Sequence, residues 1–315
     1  MTFSQAQIVA ALGSLGIEFR VSANFLAGDA FGFKSFKCIE PGGIYFLAAG
    51  FSPPRLPPRS ILISEEDRPV RDGMVIVVKD AQVSFYKLMA SLVAAPTRAG
   101  FHATAIIDPA AKVSPDAYIG PYCVLEDCGI SAGVQLHSHV VVMSGSQVEE
   151  NVVVEPHSTI GATGVAWVWD ADSNSRVRQP QTGFVRIGRN SFLGSDVSVV
   201  RGSINETTVV GDGCVIAHGS KIGHGSSIGD DCHFANNVSI AGSVTLGGGC
   251  FLGSGAVVRP NITIAPGVVV GAGAVVVNDV TQEGCVVAGV PARVVKTANR
   301  SLAGVPKSRK HEERS

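Results

Sequence analysis

The sequence predicts a mainly β chain: a parallel β-helix of six-residue repeats, preceded by a small α/β domain. Three observations carry this reading. Val210, Ile216, Ile222, Ile228, Phe234, Ile240, Leu246, Leu252, Val258, Ile264, Val270 and Val276 fall at every sixth position without a slip. Four places after each comes a small or β-branched residue, from Cys214, Ser220 and Ser226 through to Ala274. Gly or another small residue often follows the large one, as in Ile222-Gly223 and Leu252-Gly253. A period of six matches neither an α-helix nor an alternating strand; it matches a solenoid whose hexads are each a short strand and a turn. Three hexads close a triangular coil of eighteen residues, and coils stack about 4.8 Å apart. The large residue fills the interior, the small one packs beside it, and Gly or Asn permits the corner.

Bulk properties agree. With 315 residues the chain has room for two domains. A net charge of -1, with charged residues at 16%, provides no global field for nucleic acid. The N-terminus has no basic stretch followed by an apolar run, so no signal peptide is expected. The longest apolar run, Val268–Val277, is too short to span a bilayer, and a cytoplasmic location is expected. The seven cysteines form no CxxC pair. Cys214, Cys232 and Cys250 are eighteen apart, which places them on one inner wall as reduced, buried small residues. No metal site is expected.

Residues 1–100 lack the hexad and read as the α/β domain. Ser4–Leu15 is a helix with Ser4 as N-cap. Gly43–Ala48, Ser60–Ser64 and Met74–Lys79 are strands, Ser52–Pro58 a loop, and Val83–Ala94 an amphipathic helix. Pro96–Phe101 joins it to the solenoid, residues 101–290, whose period starts near Ile107. Val113, Ile119 and Leu125 keep the period, Ile130 comes one residue early, and Leu136, Val142, Val148, Val154 and Ile160 keep it again. Residues 161–186 leave the coil, and an excursion of that length is usually functional. Ile187, Leu193 and Val199 resume, one residue is lost before Ile204, and the unbroken run begins at Val210. Gly284–Lys296 is a cap-like exit. Residues 291–315 form a short tail, polar and basic over Ser301–Ser315 and expected to fray.

Corner positions point outward, so chemistry belongs there. His218 and His224 are each third in their hexads and occupy adjacent corners. Eighteen residues on, Asn236 lies over His218 and Gly242 over His224; eighteen back from His224 is Glu206. The expected column Glu206–His224–Gly242 suits acyl transfer. An imidazole takes a proton at neutral pH, a bare amide at Gly242 holds an oxyanion, and Glu206 fixes the tautomer. The alternative is a pair of solvated corner histidines. His233 reads as structural, and His137, His139 and His157 as surface or subunit-contact residues. The spacing of His218 and His224 does not match the intersubunit zinc ligands of hexapeptide-fold carbonic anhydrases.

Several ordered segments carry a resemblance. They are Ile44–Phe51, Ala103–Gly120, the excursion from Gly161-Ala-Thr-Gly-Val-Ala-Trp to Arg178-Gln-Pro-Gln-Thr-Gly-Phe-Val-Arg-Ile-Gly188, then Val200-Arg201-Gly202, Lys221-Ile-Gly-His-Gly225 and Ile240-Ala-Gly-Ser243. In this order they resemble the UDP-3-O-acylglucosamine N-acyltransferases of lipid A biosynthesis. The resemblance implies a left-handed helix and a homotrimer with active sites in the clefts between neighbours. It implies a UDP-amino sugar acceptor and an acyl-carrier-protein or CoA thioester as co-substrate, with no permanently bound cofactor. His224 becomes the general base and Gly242 the oxyanion amide. Phe46 stacks on the uracil with Phe51 nearest to the second aromatic. Arg178, Gln181, Arg201, His218 and Asn236 fall on the substrate side, a guanidinium suiting phosphate oxygens. The sequence departs from the family at Ala49, Val200 and Gly225, and in its short tail. The exit Val287–Lys296 instead resembles coenzyme-A-dependent sugar acetyltransferases, with Arg293 and Lys296 placed to meet a donor phosphate. Two other readings follow: a sugar acetyltransferase of surface-polysaccharide synthesis, and an inactive sugar-nucleotide-binding scaffold.

Overall fold

A computed structural model describes residues 1–22, 30–48, 51, 55–68, 70, 73–93 and 99–297. Ala49, the start of the 52–58 loop, Ala94, the first half of the expected linker and the tail 301–315 lie outside the described residues. The chain divides into two compact units, Met1–Thr97 and Arg98–Ser315.

The N-terminal unit has a helix at Gln5–Ser14, capped by the Ser4 side chain in a capping box with Gln7, and a second at Ala81–Val93. Its sheet runs Phe3–Ser4, Ala30–Phe33, Gly43–Leu47, Ile61–Ser64, Met74–Val78, Phe19–Ser22 in spatial order. The three expected strands pair in parallel at its centre. Three further strands lacked a sequence signal: Phe3–Ser4, Phe19–Ser22 and Ala30–Phe33. Alternation places Ile44, Ile61, Ile63 and Ile76 on the face covered by Ile8, Leu12, Phe85 and Leu88 of the helices. Tyr45, Leu62 and Val75 take the opposite face.

The second unit is a left-handed parallel β-helix of hexapeptide repeats. Its three walls hold eleven, nine and eight short strands. In the two-residue strands from Tyr118–Ile119 onward the second residue points inward and is buried, and parallel bonds to the coil above hold the register. On the first wall Ile216, Phe234, Leu252 and Val270 stack in one column. The Cys214–Cys232–Cys250 column lies inside as free thiols, each donating to a carbonyl. Corners need left-handed backbone. Gly213, Asp231, Gly249 and Gly267, at φ 67, 55, 69 and 68°, occupy one such edge, which is why Gly, Asn and Asp recur there. Tyr122, His139 and His157 take the same conformation on another edge. Their exposed rings stack at 5.0 and 4.8 Å.

Ile130 sits in the third-wall column between Val113 and Val148, so the early hexad keeps register. Ile204 does not belong to the core. It is 61% exposed, and the inward residue above Ile187 is Val210. Ser198 pairs with Lys221, twenty-three positions on, so this coil carries five residues more than eighteen rather than one fewer than a hexad. The surplus forms a lip over residues 201–206. The excursion is an antiparallel hairpin, Trp167–Asp170 with Ser175–Arg178. The exit pairs Val286–Ala288 with Val269–Val270 and then folds back as Arg293–Lys296. Among the described residues no helix is long and apolar enough to cross a membrane.

Candidate active site

The lip and the corners above it form the candidate site. Lys221–Ile222 on the second wall pairs with Ser239–Ile240, so two residues on His224 lies directly beneath Gly242. A Cβ built on Gly242 would lie 2.4 Å from His224 Nε2 and 2.6 Å from Cε1. The imidazole edge therefore rests on the bare glycine, and any side chain at 242 would displace it. The Ser243 amide donates to the His224 carbonyl at 2.8 Å and locks the two rungs together. The Gly242 amide has no acceptor among the described residues, which leaves one N–H donor beside Nε2.

Counting back from the Val209–Ser227 pair of the third wall, Glu206 keeps the eighteen-residue step below His224; the five-residue surplus lies before it, between Val199 and Thr207. Glu206 makes no hydrogen bond to the imidazole among the described residues. Its carboxylate accepts from the Ser203 amide at 3.3 Å. The ring's partner is Ser203, whose Oγ lies 3.1 Å from Nδ1. Sequence counting missed Ser203 because it sits in the surplus; a step of eleven from Val199 to Val210, where six is regular, was its only signal. Gly225 is left-handed at φ 65°, and a Cβ there would lie 2.9 Å from Glu206 Oε2. Asn and Gly both suit that backbone, so this departure keeps the corner and gives the carboxylate room.

The remaining expected residues divide. Arg201 directs Nε to the Gly161 carbonyl and Nη2 to the Ser144 carbonyl, both at 2.9 Å, so its guanidinium ties two coils together. Gln181 is 6% exposed and accepts from the Gly164 amide, tying down the excursion root. That root meets the lip, since the Thr182 and Gly183 amides donate to the Ser203 and Gly202 carbonyls. Arg178 is exposed on the hairpin opposite Trp167. His218, on the corner leaving the first wall, accepts the Ser195 amide through Nδ1 at 2.8 Å, with Asn236 one rung up. These two are a corner away from His224. Arg293 and Lys296 lie on the first-wall end strand. In the N-terminal unit, the half-buried Phe46 ring packs against Phe85 and Tyr86 at 4.9 and 5.9 Å. Phe51 is exposed there, its carbonyl accepting from Arg68. Among the described residues no group of three or more His, Cys, Asp or Glu is arranged to hold a metal ion.

Residues 207–242, which contain both His224 and Gly242, match the bacterial transferase hexapeptide (six repeats) family. The chain is 28% identical over 138 residues to the UDP-3-O-acylglucosamine N-acyltransferase of Polynucleobacter asymbioticus, covering 37% of this chain and 39% of the relative. It is 28% identical over 163 residues to the enzyme of that name from Coxiella burnetii, covering 45% and 46%. It is 32% identical over 114 residues to the acyl-[acyl-carrier-protein]–UDP-N-acetylglucosamine O-acyltransferase of Thermodesulfovibrio yellowstonii, covering 35% and 41%. The chain thus spans less than half the length of each of these relatives. Among solved structures, LpxA from Acinetobacter baumannii superposes with a TM-score of 0.55 at 28% identity, over 62% of this chain and 72% of that one. The resemblance carried by the motifs is borne out at this modest identity.

Proposed function

We propose that the chain is an acyltransferase that moves an acyl group from a carrier thioester to the amine of a UDP-linked amino sugar, as in UDP-3-O-acylglucosamine N-acylation. The observation that carries this is the imidazole seated against a side-chain-free amide, inside the matched repeats. In the reaction the sugar amine attacks the thioester carbonyl and His224 Nε2 takes its proton. The carbonyl oxygen becomes an oxyanion on the Gly242 N–H. Collapse expels the thiolate, which receives the proton from His224, and an amide remains. The donor is already activated, so no enzyme nucleophile is needed, and no cofactor is held permanently. The N-terminal unit acts as a sugar-nucleotide-binding domain, with Phe46 and Phe51 on the uracil. Arg178 and Gln181 serve the sugar and phosphates; Arg293 and Lys296 meet the donor. The working form is a cytoplasmic homotrimer, and the exposed apolar flanks of the Trp167–Arg178 hairpin support burial against a second copy.

The test is His224→Ala assayed with acyl-carrier-protein and CoA thioesters against UDP-amino sugars. Turnover falls by roughly 10²–10⁴ while the fold and assembly persist; unchanged turnover refutes the role. A hydroxyl acceptor is the second reading, favoured by the name of the Thermodesulfovibrio yellowstonii relative. Product analysis with amino and hydroxy sugars decides between them. Sugar-nucleotide binding without turnover on any thioester supports an inactive scaffold instead.

A further inference from the structure

We propose that Ser203 is the positioning residue of the site: its hydroxyl accepts Nδ1–H of His224 and leaves Nε2 unprotonated beneath Gly242. This rests on the acyl-transfer reading, and the residue exists at this place only because of the five-residue surplus in its coil. The lip is not slack. The Thr182 and Gly183 amides donate to its Ser203 and Gly202 carbonyls, and Thr182 Oγ1 donates to the Ile204 carbonyl. The Phe184 amide donates to the Glu206 carbonyl at 2.9 Å, and the Gly202 amide returns a bond to the Phe184 carbonyl. Glycine at 183 and 202 is required, since a Cβ at either would meet lip backbone at 2.5 Å or closer. A solenoid that interrupts its coil and then pins the interruption along residues 182–184 sets a hydroxyl 3.1 Å from Nδ1.

A serine hydroxyl can donate or accept, and the two cases give opposite chemistry. If it donated to Nδ1, the hydrogen would sit on Nε2 and His224 would enter the reaction without a free lone pair. Two features favour acceptance. The Glu206 carboxylate accepts the Ser203 amide, and its field turns the hydroxyl hydrogen towards itself and the oxygen lone pairs towards the ring. On the far edge, Nε2 rests against the bare Gly242, where the acceptor's proton must be taken, and a hydrogen already on Nε2 would leave no lone pair for it. Glu206 therefore acts on the imidazole through Ser203 rather than by touching it.

The decisive measurement is ¹⁵N NMR of the intact unmodified protein with labelled histidine, assigned with His224→Gln. The expected result is the Nδ1–H tautomer at His224. Ser203→Ala lowers kcat about tenfold, the factor one neutral hydrogen bond supports, with both KM values held and mixed tautomers at His224. Ser203→Thr, which keeps the hydroxyl, restores both. An Nε2–H tautomer in the unmodified protein overturns the proposal, as does Ser203→Ala with tautomer and kcat unchanged. The tautomer is read without turnover. A failure of the acyl-transfer reading, seen as unaltered activity in His224→Ala, is therefore separate from a failure of this one.

Discussion

Replacing Gly242 by alanine puts a methyl carbon 2.4 Å from His224 Nε2, where ordinary contact begins at 3.4 Å. One of the two groups must yield by about 1 Å. Gly242 does not occupy the left-handed region, so its backbone accepts alanine without strain. The wall is held by a ladder on every rung, whereas His224 turns about two side-chain bonds. The ring moves and the coil stays. A displacement of about 1 Å in a reacting group costs on the order of 10²-fold in rate. The expected Gly242→Ala protein melts at the temperature of the unmodified one, binds UDP-sugar equally well, and releases thiol from the donor about a hundredfold more slowly. Thiol release under saturating substrates, with a thermal melt on the same samples, makes the comparison. Turnover within threefold of the unmodified protein would refute the argument that this bare position seats the base.

Three other outcomes follow from the same contacts. Arg201→Met leaves the Gly161 and Ser144 carbonyls without their charged donor and costs about 2 kcal/mol of stability, read by chemical denaturation; an effect on sugar-nucleotide binding at unchanged stability would contradict its structural role. Burial holds the His233 imidazole below its ordinary 6.5. As pH falls through 6.5 the unfolded chain takes up a proton that the folded chain refuses, so stability drops until the folded pKa is passed and then levels. His233→Phe, which keeps a ring against Phe251, removes that loss, and melts at about pH 7.5 and about pH 5.5 then differ less than in the unmodified protein. Serine at both Trp167 and Trp169, exposed on a two-stranded ribbon of a kind that is marginal alone, weakens the proposed trimer in sedimentation while each solenoid stays folded.

The solenoid was legible because its period is set by backbone geometry. Each wall fixes one inward residue in six, and the eighteen-residue step between coils follows. His224 under Gly242 came from that step alone, since the coils from Val210 to Val276 are regular. Glu206 keeps the step below His224, but the lip puts Ser203 rather than Glu206 on the ring's Nδ1. Ile204 misled there, being apolar and nearly in phase while its side chain faces solvent. Ser203 was unreadable: an irregular loop has no period, and its placement depends on bonds to Thr182, Gly183 and Phe184 far away in sequence. In the N-terminal unit the apolar central strands announced themselves. Phe19–Ser22 did not, because it is an edge strand whose pairing with Val75–Val78 decides its conformation. At Arg201 the motif gave a substrate-side residue, and counting could not show that its Nε and Nη2 are held by the Gly161 and Ser144 carbonyls.

The most direct measurement is a crystal structure with a non-hydrolysable donor thioester analogue and the UDP-amino sugar bound together. The account predicts the donor carbonyl oxygen about 3 Å from the Gly242 nitrogen and the sugar nitrogen within about 3.2 Å of His224 Nε2. A reacting carbonyl seated at another corner of the solenoid, away from both groups, would contradict it.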